Sequence, residues 1–180
     1  SPSEIKECKY AESSSRYFDW IQGRSALKKV FEYLNKSIDV AKISFPDQCF
    51  SISHTKDCAV AIGVLDSVES SNGVGIDLEL SRKVDAKHTR YYLSKYESDL
   101  VNSNDDLLRL WTVKEALFKA DPSNDGGVLK NYNVKNPKTL KGEAINKKGD
   151  IFYYNSIKNP VDKFLDKKCG GWMTWAINHS

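Results

Sequence analysis

The chain is poor in the residues that build soft metal and redox sites. Its 180 residues include three histidines and four cysteines. Cys8, Cys49, Cys58 and Cys169 are spaced neither as a zinc site nor as a C-x-x-C redox pair. No disulfide framework can be read from them, which points to a reducing, cytoplasmic setting. Long apolar runs are lacking too. The longest falls far short of a bilayer span, so no membrane association is expected. No signal peptide is visible, because Glu4, Lys6, Glu7 and Lys9 stand where its apolar core would be. Charge of one sign never accumulates. The formal net charge is +3 and there is no polybasic arm, which argues against nucleic acid as a partner. His88 and His179 stand in no context that suggests a site.

What is present suffices for a folded core. Apolar residues make up 40% of the chain and charged residues 28%, enough for one compact domain or two tightly fused halves. Residues 1–15 are polar and Ser-rich and read as a loose or short extended segment. Residues 16–35 read as a helix with one apolar stripe, Ala26, Leu27, Val30, Phe31 and Leu34. Strands are expected at 49–53, 58–65 and 74–78, the last entered through a turn at Ser71-Asn72-Gly73. A broken helical stretch at 86–102 and a strong helix at 105–120 follow, the latter stopped by Asp121-Pro122. The tail reads as strands at 131–135, 142–146, 150–156 and 171–178. Helix, strands, helices and strands in that order make an α+β chain.

Two segments concentrate the chemistry. Gly75-Ile76-Asp77-Leu78-Glu79 places Asp77 and Glu79 on one face of a strand end. About thirty residues on, Trp111-Thr112-Val113-Lys114-Glu115-Ala116-Leu117-Phe118-Lys119 places Glu115 and Lys119 on one face of a helix. If the helix crosses the strand end, three carboxylates and an amine meet. Carboxylates that close force protonation unless a cation compensates them. An all-oxygen set suits magnesium, which usually shares its shell with substrate phosphates. Trp111 is expected to be the buried anchor of the helix. Gly75 lets another backbone or a ligand approach closely, marks a bulge, or does both. Each feature also has a plain reading. Asp77 and Glu79 fit a solvated strand end, and Glu115 with Lys119 fits a surface ion pair worth about 0.2–0.5 kcal/mol. Arg24, Lys28 and Lys29 fit a solvated basic helix face, and Ser53-His54 a hydrogen-bonding pair at a strand end.

These residues carry a resemblance. G-[IV]-D-x-E followed by W-[ST]-x-K-E-A-x-x-K resembles the paired signature of the 4'-phosphopantetheinyl transferase superfamily, matched here at every defining position. Ser51-Ile52-Ser53-His54 resembles the [NS]-x-S-H segment of its larger, surfactin-type branch. Trp20-Ile21-Gln22-Gly23-Arg24-Ser25-Ala26-Leu27-Lys28 resembles that branch's aromatic-x-x-G-R-x-A helix. The four fall in the family's order over roughly residues 16–119.

The resemblance implies two pseudo-symmetric helix-plus-antiparallel-sheet halves, 1–80 and 81–180, packed as one unit with the site at their junction. It implies a transferase that moves the phosphopantetheine arm of coenzyme A onto a serine of an apo acyl or peptidyl carrier protein. Asp77, Glu79 and Glu115 would hold magnesium, and Asp77, Glu115 and Lys119 would carry the catalysis. Arg16, Arg24, Lys28, Ser53, His54, Arg82 and Lys119 would contact coenzyme A. One chain would make a complete site, so a monomer is expected. The alternative is a non-catalytic module that binds coenzyme A or a carrier protein and has kept the fold. The chain departs from the branch at Val40-Ala41-Lys42-Ile43-Ser44-Phe45-Pro46, where a Gly-Lys-Pro segment is common.

Overall fold

The computed structural model describes residues 14–55, 58–64, 71–124, 126–160 and 170–179, with the backbone alone for 14–16, 71–72 and 179. The expected loose N-terminal segment lies almost wholly outside these residues. The first helix, α1 (Ser14–Tyr33), packs on a two-stranded antiparallel sheet of β1 (Phe50–His54) and β2 (Ala59–Gly63). The helix presents the expected stripe: Leu27 and Phe31 are buried and join Val40 in a small core with Phe50, Ile52 and Ala61 against it. Burying each of these side chains is worth about 1.5–3 kcal/mol.

The second layer pair is larger. β3 (Ser71–Leu80), β4 (Asn133–Val134), β5 (Lys141–Ile145), β6 (Ile151–Lys158) and β7 (Gly171–His179) form one sheet in the order β3-β7-β6-β5-β4, every pairing antiparallel. Two short helices, α2 (Ala86–Thr89) and α3 (Lys95–Leu100), replace the broken helical stretch expected at 86–102. The long helix α4 (Asn104–Ala120) lies across the sheet. Ser103 caps it, Asp105 and Asp106 occupy its first turn, and Asp121 with Pro122 ends it. Leu110, Val113 and Leu117 of α4 bury themselves against Tyr132, Val134, Ala144, Phe152 and Ala176. The architecture is therefore α+β, with helices on antiparallel sheets. Among the described residues no helix is long and apolar enough to cross a membrane.

Two strands differ most from expectation. β3 runs to ten residues because it pairs with β7 along its whole length. Gly73, expected in a turn, belongs to this strand. The strand expected at 131–135 shrinks to two residues behind a 3-10 turn at Leu129–Asn131. It is the sheet edge, and its outward amide at Val134 donates to the Glu97 carboxylate (2.9 Å) instead of to another strand.

Candidate active site

The free edge of β3 is closed by one backbone carbonyl and two side chains. Val74 N–H donates to the Gln48 carbonyl at 3.1 Å, Ile76 N–H to Ser51 Oγ at 3.1 Å and Leu78 N–H to Ser53 Oγ at 3.2 Å. Alternation along β1 puts Ser51 and Ser53 on one face, so two hydroxyls dock the small sheet on the large one. Ser53 then donates to Asp77 Oδ1 at 2.9 Å. Its hydroxyl is committed on both sides. It positions Asp77.

The other side of β3 meets α4. A Cβ placed on Gly75 would stand 1.9 Å from the Ala116 carbonyl oxygen, and one on Gly73 2.3 Å from that of Ala120. The two glycines let the helix backbone rest directly on the strand, which is the close backbone approach among the readings of Gly75. Helix and strand run antiparallel, and their repeats nearly agree. Four helical residues rise about 6 Å and two strand residues about 6.7 Å. Hence Gly73 and Gly75 meet Ala120 and Ala116 in reverse order, and the strand face continues through Asp77 and Glu79 along the helix.

Lys119 Nζ donates to Asp77 Oδ1 at 2.7 Å and to the Ile76 carbonyl at 3.0 Å. The lysine thus pairs with a carboxylate across the chain, and the plain reading of a surface pair with Glu115 does not hold. Glu79 accepts from the Trp111 indole N–H at 2.9 Å and from Arg82 Nε at 3.1 Å. Trp111 is half-buried, and so differs from the buried anchor expected: its indole edge is drawn outward by Glu79 while Tyr92 packs edge-on against its ring at 5.2 Å.

Electrostatics mark the same place. Asp77 is only 6% exposed, and burial pushes its carboxyl pKa up, against the lowering by Lys119 and Ser53. Burial raises Glu115 as well, followed by the charge of Asp77, with Lys119 opposing. Asp77 Oδ2 is buried and has no hydrogen-bond partner. A buried carboxylate oxygen without a donor costs free energy unless a proton or a cation meets it. Among the described residues, however, no group of three or more His, Cys, Asp or Glu side chains is gathered as around a metal ion. Glu79 is turned to Arg82 and Trp111 instead.

The expected co-substrate contacts are dispersed. Arg24 donates to the carbonyls of Val40 and Ile43 and lies over the rings of Trp20 and Phe45, at 5.6 and 5.2 Å. It ties α1 to the turn at 40–43, where a phosphate contact was expected. Arg82 is likewise taken by Glu79. Lys28 is exposed. His54 is half-exposed, with Nδ1 3.8 Å from Asp19. The side chain of Arg16 lies outside the described residues. A cavity of about 410 Å³ opens beside Lys119, walled by Phe45, Pro46, Phe50, Ile52 and Phe118.

Sequence reasoning missed one pair, where α4 meets α3 and β4. Lys114 and Glu97 are both fully buried and 2.7 Å apart, with burial pulling the lysine pKa down and Glu97 opposing. The Ser94-x-x-Glu97 spacing of a capping box was the only signal.

The arrangement defines a class: a helix crossing an antiparallel strand, one buried and one half-buried carboxyl and a lysine at the crossing, and a cavity alongside. That is suited to a cation and a phosphate ester. Residues 73–160 match the model of the 4'-phosphopantetheinyl transferase superfamily. The match covers just under half of the chain, and within it fall β3 from Gly73 onward and all of α4. Among curated proteins none matches the chain.

Proposed function

We propose that this protein is a magnesium-dependent 4'-phosphopantetheinyl transferase of the surfactin-type branch. It would move the phosphopantetheine group of coenzyme A to a serine hydroxyl of an apo acyl or peptidyl carrier protein, a holo-acyl-carrier-protein synthase activity. The observation that carries this is the crossing of β3 and α4. There Asp77 keeps a buried oxygen without a partner beside Glu115, inside the segment similar to the superfamily. The donor set is all oxygen and the uncompensated charge is negative, so the residues fit magnesium. Asp77 and Glu115 would hold it, with Glu79 alongside. When bound, magnesium would neutralise the diphosphate of coenzyme A and act as a Lewis acid.

The remaining steps belong to the chain's own groups. Ser53 and Lys119 fix Asp77. Lys119, on the wall of the cavity, offers its charge to the phosphate undergoing transfer. The serine oxygen bonds to the phosphorus that carries pantetheine as the bond to the adenylate oxygen breaks, releasing adenosine 3',5'-bisphosphate. Glu115 or a water molecule beside it would accept the serine proton. His54 and Lys28, with Arg16 on the same helix as Lys28, would meet the nucleotide end. The two-half organisation, 1–80 and 81–180, a monomeric active unit and a cytoplasmic setting are part of the proposal.

A second reading has one observation in its favour. Glu79 is held by Arg82 and Trp111, and among the described residues no three-acid cluster is assembled. That suits a module that binds coenzyme A or a carrier protein without transfer. Intact mass spectrometry of apo carrier proteins incubated with coenzyme A and magnesium decides. The expected result is a gain of one phosphopantetheine, lost with Asp77→Ala or with chelator. Coenzyme A binding by calorimetry with no mass gain on any carrier would favour the binding module.

A further inference from the structure

A buried ion pair lies where α4 meets α3 and β4. Glu97 takes both bonds of Lys114 Nζ, at 2.7 and 2.9 Å. It also takes the Val134 N–H at 2.9 Å and the Ser94 N–H at 2.7 Å, the latter closing the cap of α3. Lys114 donates as well to the Tyr132 carbonyl. One carboxylate therefore joins α3, α4 and β4. Such a pair adds little net stability, because removing two ions from water costs about what their attraction returns. Its value lies in direction. The apolar contacts of Leu110, Val113 and Leu117 are non-directional and tolerate a small rotation or slide of α4. An ammonium held between a carboxylate and a carbonyl does not. Lys114 precedes Glu115 on α4, about 100° round the helix, and lies five residues before Lys119.

We infer that Glu97 and Lys114 are positioning residues: their buried pair sets the rotation and axial register of α4, so that Glu115 and Lys119 meet Asp77 and Trp111 meets Glu79. The consequence for rate rests on the transferase reading. The consequence for geometry does not.

The test uses the full chain carrying Glu97→Gln and Lys114→Met together, which removes both charges at similar volume and leaves no buried ion unpaired. Three readouts are taken. The first is thermal unfolding. The second is the indole N–H resonance of Trp111, assigned with Trp111→Phe, which reports the bond to Glu79. The third is kcat and KM for coenzyme A. We expect Tm within a few degrees of wild type, a displaced or broadened indole resonance, and kcat lower by about tenfold or more with KM changed little. Wild-type resonance and wild-type kcat in the folded double variant would overturn the inference. If that variant does not fold, Lys114→Arg keeps the charge and changes the reach. A displaced resonance is again expected, and an unmoved one again overturns. A wild-type protein that transfers nothing to any carrier sinks the functional reading alone, because the resonance still reports the geometry.

Discussion

The carboxylate of Asp77 is held at one oxygen and left open at the other. Oδ1 takes the bonds of Ser53 and Lys119, while Oδ2 is buried without a donor. Glu115 sits in the field of that charge. Its pKa is raised above the ordinary 4.5, so the folded state prefers it protonated. The ionised form therefore costs stability above the raised pKa, and the cost vanishes as pH falls below 4.5. In metal-free buffer Glu115→Gln should melt higher than wild type at pH 7, and the gap should close as pH approaches 4. A variant that melts lower at pH 7 would show that Glu115 is not repelled there. Calorimetry of the same variant should show weakened magnesium binding. The basic residues of α1 separate in the same manner. Arg24 spends its guanidinium on the Val40 and Ile43 carbonyls, so Arg24→Ala should lower stability and weaken coenzyme A and its 3'-dephospho form equally. Lys28→Ala, at an exposed position, should weaken coenzyme A selectively if Lys28 reads the 3'-phosphate. Titrations with the two ligands check both.

At the scale of elements, the site exists because a helix touches a strand with nothing between them. Gly73 and Gly75 allow that approach, and the near equality of four helical residues and two strand residues keeps successive pairs in step. Gly75→Ala should cost about 1–3 kcal/mol or more, since its methyl would meet a backbone carbonyl that cannot swing away. Gly127→Ala, whose methyl would meet nothing closer than 3.8 Å, is the control and should be nearly neutral. Urea unfolding of the two variants measures the difference. Comparable losses would show that α4 can retreat from β3. A chain of hydroxyls, Thr112 to Thr174 to Ser156 at 2.8 Å per step, holds the same helix to β7 and β6 without a charge. Thr174 stands opposite Asp77 in the sheet register, so this polar seam lies one strand from the site.

For the whole molecule, Asp77, Glu115 and Lys119 come together within one chain, with β3 joined to both sheet systems. If one chain makes a complete site, mixing inactive Asp77→Ala with inactive Lys119→Ala protein should restore no transfer. Recovered activity in the mixture would mean that sites form between chains. Much of the fold was legible because local patterns carry it. The stripe through Leu27 and Phe31 and the stop at Asp121-Pro122 are each set by residues a few positions apart. The sequence by itself also determined which carboxylates share a face, since periods of two and about 3.6 residues fix that before any packing occurs. What it could not determine was which partner each polar group takes. Arg24, Arg82 and Ser53 read as hands for a phosphate, yet each is spent inside the protein, on carbonyls, on Glu79 and on Asp77. Lys114 read as a motif letter and is a fully buried cation whose partner lies 17 positions away. Those choices were made only by the tertiary structure, because a buried charge must find a counter-charge or donors wherever the fold happens to bring them, and sequence distance places no limit on where that is.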